Sequence, residues 1–233
     1  MGGLSKSPPP FRADPRHDRP LEESAKRHAT TWAVALALVL VAGPFIAHAA
    51  KVGGPAPAFT GVDTKGRTHT LAEFRGKWVV LEWHNNGCPY VKKHYGSGNM
   101  QALQREWTGK GVVWLTVISS APGMQGFVTA AEADAYAAQS KAVPTAILLD
   151  PKGEIGRLYD ARTTPHMYVV NPQGVLIYNG AIDNKPSTNP ADVVTATNHV
   201  SAALTEALAG KPVTTPTTRP YGCSVKYARS NQN

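Results

Sequence analysis

Cysteine is scarce in this chain and nowhere clustered. The two cysteines, Cys88 and Cys223, stand 135 residues apart, so no C-x-x-C pair exists. That spacing excludes a local dithiol, a zinc site of paired cysteines and the C-x-x-C-H attachment of haem. Runs of Lys and Arg are missing as well. The formal charge of +8 is dispersed, without the basic track that follows phosphates, so nucleic acid is not an expected partner. Repeats and low-complexity tracts are lacking, which argues against a solenoid or a disordered chain. No apolar run reaches the ~20 residues of a membrane span without interruption.

The first feature present is an export profile. Residues 1–31 are polar and rich in Pro, Arg and His, Trp32–Ala47 is apolar, and Ala47-His48-Ala49 supplies an A-x-A site. Residues 1–50 are therefore expected to be a secretory signal with a long polar leader, cleaved after Ala49. Translation from a start downstream of Met1 would account for the leader's length. The alternative is an uncleaved anchor, which Gly43-Pro44 disfavours. The expected location is extracytoplasmic and periplasmic, with no membrane association after cleavage. Six basic and four acidic residues fall in the first 31, so the remainder carries +6. In an oxidising compartment an even cysteine count permits a Cys88–Cys223 disulfide.

Periodicity sets out the domain, expected over 51–212, followed by a tail over 213–233. Asp63-Thr64-Lys65-Gly66 reads as a turn between short strands, and Thr70-Leu71-Ala72-Glu73 as a capping box. Lys77–Glu82 is apolar on both faces, as an interior parallel strand would be. Pro89–Trp107 is helical with a break at Gly96-Ser97-Gly98. Strand Gly111–Ile118, helix Ala130–Ser140, strand Pro144–Leu149 and short helix Glu154–Tyr159 follow. A hairpin (His166–Val170, Val175–Asn179) and a helix over Asn189–Ala209 complete the domain. This order predicts a central mixed β-sheet flanked by helices.

Cys88 lies between an apolar strand and a helix, with Pro89 where the first helical residue falls. At such an N-cap, unpaired N–H groups and the helix dipole favour a thiolate. Lys92, Lys93 and His94 are expected to add positive potential. A buried, inert cysteine is the plainer alternative.

The stretches GPAPAFTGVDTKGRTHTLAEFRGKWVVLEW and VVLEWHNNGCPYVKKHY together resemble the thioredoxin-like redoxin family of the alkyl hydroperoxide reductase/thiol-specific antioxidant type, from about Val52 to Gly210. CPYVKKHY, SGNMQALQ and the tail YGCSVKY are similar to exported redoxin-domain proteins. The resemblance implies a thioredoxin-like α/β fold with a redoxin-type N-terminal extension. It places Cys88 at the attacking cysteine, Glu82 at the buried acid and Val91 where a resolving cysteine would stand. Some relatives carry C-N-H-C-P-Y-V, and on that frame Asn85 replaces the first cysteine and Cys88 is the second. Asn85 also stands where peroxiredoxins have Thr or Ser. Thr163-Thr164-Pro165 matches the segment that carries a cis-proline against the cysteine, with the Thr164 backbone offered to substrate.

The expected function is a thiol-dependent oxidoreductase acting on a peroxide or a disulfide, with an external thiol as reductant and no dissociable cofactor. Cys88 is its expected nucleophile. Glu82 is a candidate proton acceptor with a pKa raised by burial, or else faces solvent. Arg162 is a candidate thiolate partner, or else a solvated arginine. Trp83, with His84, is expected at the rim, and Asn85, Pro89, Thr164 and Pro165 on the substrate side. Neither His84 nor His94 has metal-ligand spacing, so no metal is expected. Three possibilities stay open for Cys223: a resolving thiol, one half of a structural disulfide, or a cysteine that never meets Cys88. The rival function is a non-catalytic binding or structural module on the same scaffold.

Overall fold

A computed structural model describes residues 50–228; the expected signal segment lies outside the described residues. Among the described residues nine strands form: β1 (Thr60–Asp63), β2 (Thr68–Thr70), β3 (Val79–Trp83), β4 (Val113–Ile118), β5 (Ala146–Leu149), β6 (Thr163–Thr164), β7 (His166–Val170), β8 (Leu176–Gly180) and β9 (Cys223–Ser224). Five α-helices accompany them: α1 (Pro89–Gly96), α2 (Asn99–Gly109), α3 (Ala130–Ser140), α4 (Glu154–Leu158) and α5 (His199–Leu208).

Seven strands make one mixed sheet in the order β2-β1-β5-β4-β3-β7-β8. β3 is an interior strand, parallel to β4 and antiparallel to β7, which is why all five of its residues are buried. Side chains alternate across a strand, and the two faces of β3 enter separate cores. Leu81 and Trp83 join Phe59, Leu71, Phe74, Leu115 and Tyr168, with Ile155 of α4 packed on them. Val80 joins Val91, Met100, Leu103, Trp107, Val200 and Leu204, which places α1, α2 and α5 on the opposite face. The expected mixed sheet with helices on both faces is thus the observed architecture.

Several local expectations hold in detail. Thr70 closes a reciprocal capping box with Glu73, although the turn it opens is a 3-10 helix (Leu71–Phe74). Gly98, with φ of 75°, separates α1 from α2. The long C-terminal helix is a correction. Asn189 caps only a 3-10 turn (Pro190–Thr195), and α5 starts afresh where the Asn198 side chain accepts from the Ser201 N–H. Val193-Val194-Thr195, which end that turn, are β-branched and poor helix formers, while Asn198 forms a β-bridge with Asp183.

The tail folds onto the domain. Residues 216–218 run beside β8, where the Asn179 N–H donates to the Pro216 carbonyl and the Thr218 N–H to the Asn179 carbonyl, each at 3.1 Å. The chain then crosses to β6, and β9 pairs antiparallel with it, Thr164 opposite Cys223 and Thr163 opposite Ser224.

Candidate active site

Cys88 is the N-cap of α1 and Pro89 its first residue. The approach is a tight turn in which the Cys88 N–H donates to the Asn85 carbonyl at 3.0 Å. The Asn85 side chain holds that turn, accepting from the Gly87 N–H at 2.9 Å and donating to the Gln125 side chain at 2.8 Å. Asn85 is 1% exposed. It therefore shapes the loop and is closed to solvent.

The Cys88 side chain is fully buried. Its thiol donates to the Thr164 carbonyl at 3.0 Å, and the Thr164–Pro165 peptide is cis. Burial alone would push this thiol up. Donors around the sulfur outweigh burial and hold it below the ordinary range: the Cys223 thiol, the Thr164 hydroxyl, and the N–H groups of Val91 and Cys223. Cys223 shows the opposite behaviour, pushed up to about 11 by burial and by its contact with Cys88. The two thiols are thus neighbours with unlike acidities.

The positive potential expected around Cys88 is largely cancelled, which corrects that reading. Only Lys92 of the three basic residues is exposed. Lys93 is buried, its ammonium 3.4 Å from Asp183 and donating to the Lys185 carbonyl at 2.7 Å. His94 is lowered to about 4, chiefly by burial, and is neutral at pH 7.

Glu82 is buried, and its side chain faces the α1–α2 layer. Its carboxylate accepts from the Tyr95 hydroxyl and the Trp114 indole at 2.8 Å each, and from Gln104 at 3.2 Å. Burial alone would raise it. The His84 ring, 3.6 Å away, and the Trp114 and Tyr95 donors reverse that and hold it below the usual carboxylate range. The expected upward shift is therefore corrected to a downward one, because the cage of donors was not visible in sequence. Neither expected alternative describes this residue, since it is neither raised nor solvent-facing.

Trp83 is a second correction. Being one residue after Glu82, it points to the other face, where its indole donates to Ser119 Oγ at 3.0 Å and its ring packs on Tyr159 and Tyr168. It is fully buried core and forms no rim. His84 is also buried, against Tyr95 and Tyr136. Arg162 carries its guanidinium on the surface, paired with Asp160, and its backbone carbonyl accepts from the Val225 N–H at 3.0 Å. The solvated alternative is the one that describes it. The groups around the Cys88 sulfur come from Val91, Thr164 and Cys223.

The structure thus brings together Cys88, Pro89, Thr164, Pro165 and Cys223. Sequence reading missed the residues that hold Cys223 in place. The Tyr221 hydroxyl donates to Asp183, its ring packs on Tyr90, and His94 Nε2 lies 3.3 Å from its oxygen. The Tyr227 hydroxyl donates to the Ala161 carbonyl at 2.7 Å, and its ring lies on Gly153 and Gly156, where a Cβ would come within 2.4 Å of it. Gly222, with φ of 134°, allows the tail to close on β6, since a Cβ there would lie 2.1 Å from the Thr164 oxygen. The available signal was YGCSVKY itself, a glycine and a cysteine bracketed by two tyrosines. Among the described residues no group of three His, Cys, Asp or Glu side chains is disposed to hold a metal ion, and no helix is long and apolar enough to cross a membrane.

Known proteins share this plan. The thiol-disulfide oxidoreductase ResA of Bacillus subtilis (strain 168) is 25% identical over 125 residues, spanning 54% of this chain and 64% of its own length. An uncharacterized conserved protein from Geobacillus kaustophilus superposes with a TM-score of 0.68 at 24% identity, covering 77% of this chain and 94% of that one. A hypothetical protein from Sinorhizobium meliloti 1021 does so with a TM-score of 0.65 at 22% identity, covering 78% and 98%. The fold is thioredoxin-like. Residues 52–179, more than half of the chain, match the AhpC/TSA family model, and the chain belongs to that family.

Proposed function

We propose that the protein is a thiol-dependent oxidoreductase whose two-electron couple is Cys88 with Cys223. The observation that carries this reading is the pairing of Cys223 with Thr164, which sets its thiol beside that of Cys88. The acidities divide the roles. Cys88, held low, is the nucleophile; Cys223, held high, stays protonated as a donor to it and then resolves the product.

With a disulfide R–S–S–R′, the Cys88 thiolate bonds to one sulfur and R′S⁻ leaves. Cys223, giving up its proton, then attacks the Cys88 sulfur and releases RS⁻. With a peroxide ROOH, the Cys88 sulfur takes the distal oxygen and RO⁻ leaves as the alcohol. The Cys223 thiol then condenses with the sulfenic acid and expels water. Both routes end in a Cys88–Cys223 disulfide, and an external thiol returns the two electrons. The similarity to ResA, a thiol-disulfide oxidoreductase, supports disulfide exchange, whereas membership of the AhpC/TSA family is equally compatible with a peroxide. The export profile adds a location outside the cytoplasm.

Reaction rates test the reading. Reduced protein is expected to react with hydrogen peroxide or a small disulfide faster than free cysteine at neutral pH, and the product is expected to persist on Cys88 when Cys223 is replaced by serine. A rate no faster than free cysteine, with Cys223→Ser lowering stability alone, would make the pair a structural staple on a non-catalytic module.

A further inference from the structure

We propose that Tyr221–Tyr227 is a tethered strand that reserves the Cys88 site for small oxidants and excludes extended polypeptides until its tyrosine anchors release. The inference rests on the oxidoreductase reading and narrows its substrate class. β6 is a two-residue segment outside the seven-stranded sheet, and β9 is its strand partner. An open strand edge is a template on which an incoming peptide adds its own strand. Here the edge is filled by the protein itself, at the residue whose carbonyl receives the Cys88 thiol. A polypeptide that approached Cys88 along β6 would have to take the place of Cys223.

The strand is fixed on both sides of Cys223. On one side the Tyr221 hydroxyl binds Asp183, itself buried and matched by Lys93. On the other, the Val225 N–H binds the Arg162 carbonyl at 3.0 Å and the Lys226 carbonyl accepts from the Ala121 N–H at 2.8 Å. Tyr227 closes the sequence over Gly153 and Gly156, with the Arg157 guanidinium 4.7 Å from its ring centre. Beside the strand an open basin of about 660 Å³, lined by Thr163, Asp183, His199, Arg219, Tyr221 and Gly222, admits solvent to its flank. A small molecule there needs a local parting near Gly222 to meet the buried sulfur. A polypeptide needs the whole strand lifted and both anchors broken.

The test uses the full chain with Cys223→Ser, so that Cys88 is the reporting thiol. Two probes carry the same leaving group: the mixed disulfide of 2-nitro-5-thiobenzoate with cysteine, and the same mixed disulfide on an extended peptide. In each case the Cys88 thiolate bonds to the cysteinyl sulfur and the coloured thiobenzoate thiolate leaves. The small probe is expected to react at least about tenfold faster than the peptide, the scale set by one charge-assisted hydrogen bond. Tyr221→Phe and Tyr227→Phe, which keep the rings and delete the hydroxyls, are expected to narrow that ratio by speeding the peptide. Equal rates for the two probes, or a ratio that neither variant moves, would overturn the inference while leaving the oxidoreductase reading intact. If neither probe outpaces free cysteine, a bulky maleimide decides. Labelling of Cys88 in the tyrosine variants alone keeps the tethered strand and removes the oxidoreductase reading. Equal labelling in the parent removes both.

Discussion

Cys223 sits directly opposite Thr164 in antiparallel register, and the Thr164 carbonyl is the acceptor of the Cys88 thiol 3.0 Å away. One residue thus links two cysteines that are 135 positions apart in the chain.

Replacing Cys223 by alanine removes a donor to the Cys88 sulfur and exposes the thiolate to less stabilisation. The pH midpoint of Cys88 alkylation is expected to rise relative to the parent protein, where it lies below the ordinary thiol value. Cys223, at about 11, does not titrate in the same range. Iodoacetamide rates across pH measure the shift, and an unmoved midpoint would mean that Cys223 contributes nothing to the acidity of Cys88.

Asp183→Ala leaves the Lys93 ammonium buried without its counter-ion and frees the Tyr221 hydroxyl. Loss of one partner of a buried pair costs about 3–5 kcal/mol. Urea unfolding should show a loss of that order, together with faster alkylation of Cys88 as the tail loosens.

Gly222→Ala would force a Cβ to 2.1 Å from the Thr164 oxygen. The expected outcome is a detached β9 with the seven-stranded sheet preserved. Hydrogen exchange would show this as lost protection at Val225, whose N–H binds Arg162, with β3 and β4 remaining protected.

Glu82→Gln replaces a carboxylate that accepts from Tyr95, Trp114 and Gln104 by a group that must also donate. A stability loss of about 1–3 kcal/mol is expected from mismatched buried donors. Thermal melts measure it. The alkylation midpoint of Cys88 is expected to stay in place, and a large move would restore Glu82 as its proton acceptor.

His94 and His166 are both lowered to about 4 by burial, against about 6.5 in an unfolded chain. Between those values the unfolded state binds more protons. Their contribution to stability is therefore complete above about pH 6.5 and falls as the pH drops towards 4, by up to ~1.4 kcal/mol per pH unit for each histidine. Urea midpoints across that interval should decline accordingly, and a flat profile would contradict the buried neutral assignment.

Much of the scaffold was legible because its signals are local. A continuous apolar run marks β3, the Cys-Pro step marks the start of α1, and glycines mark the break before α2. Which face of a strand meets which core is not local, so Glu82 and Trp83 both depart from their expected surroundings: a donor cage below α1 for one, an aromatic core for the other. The tail was legible only as a cysteine with unknown reach. Its placement depends on Asp183, on Gly153 and Gly156, and on a strand two residues long, none of which carries a periodic pattern.

The most direct test is peptide mapping of the reduced protein after one equivalent of hydrogen peroxide or of a small disulfide. Rapid, near-complete conversion is expected to a single species in which the Cys88 and Cys223 peptides are joined by a disulfide within one chain. Recovery of Cys88 as a lasting sulfenic acid or mixed disulfide while Cys223 stays reduced would contradict it.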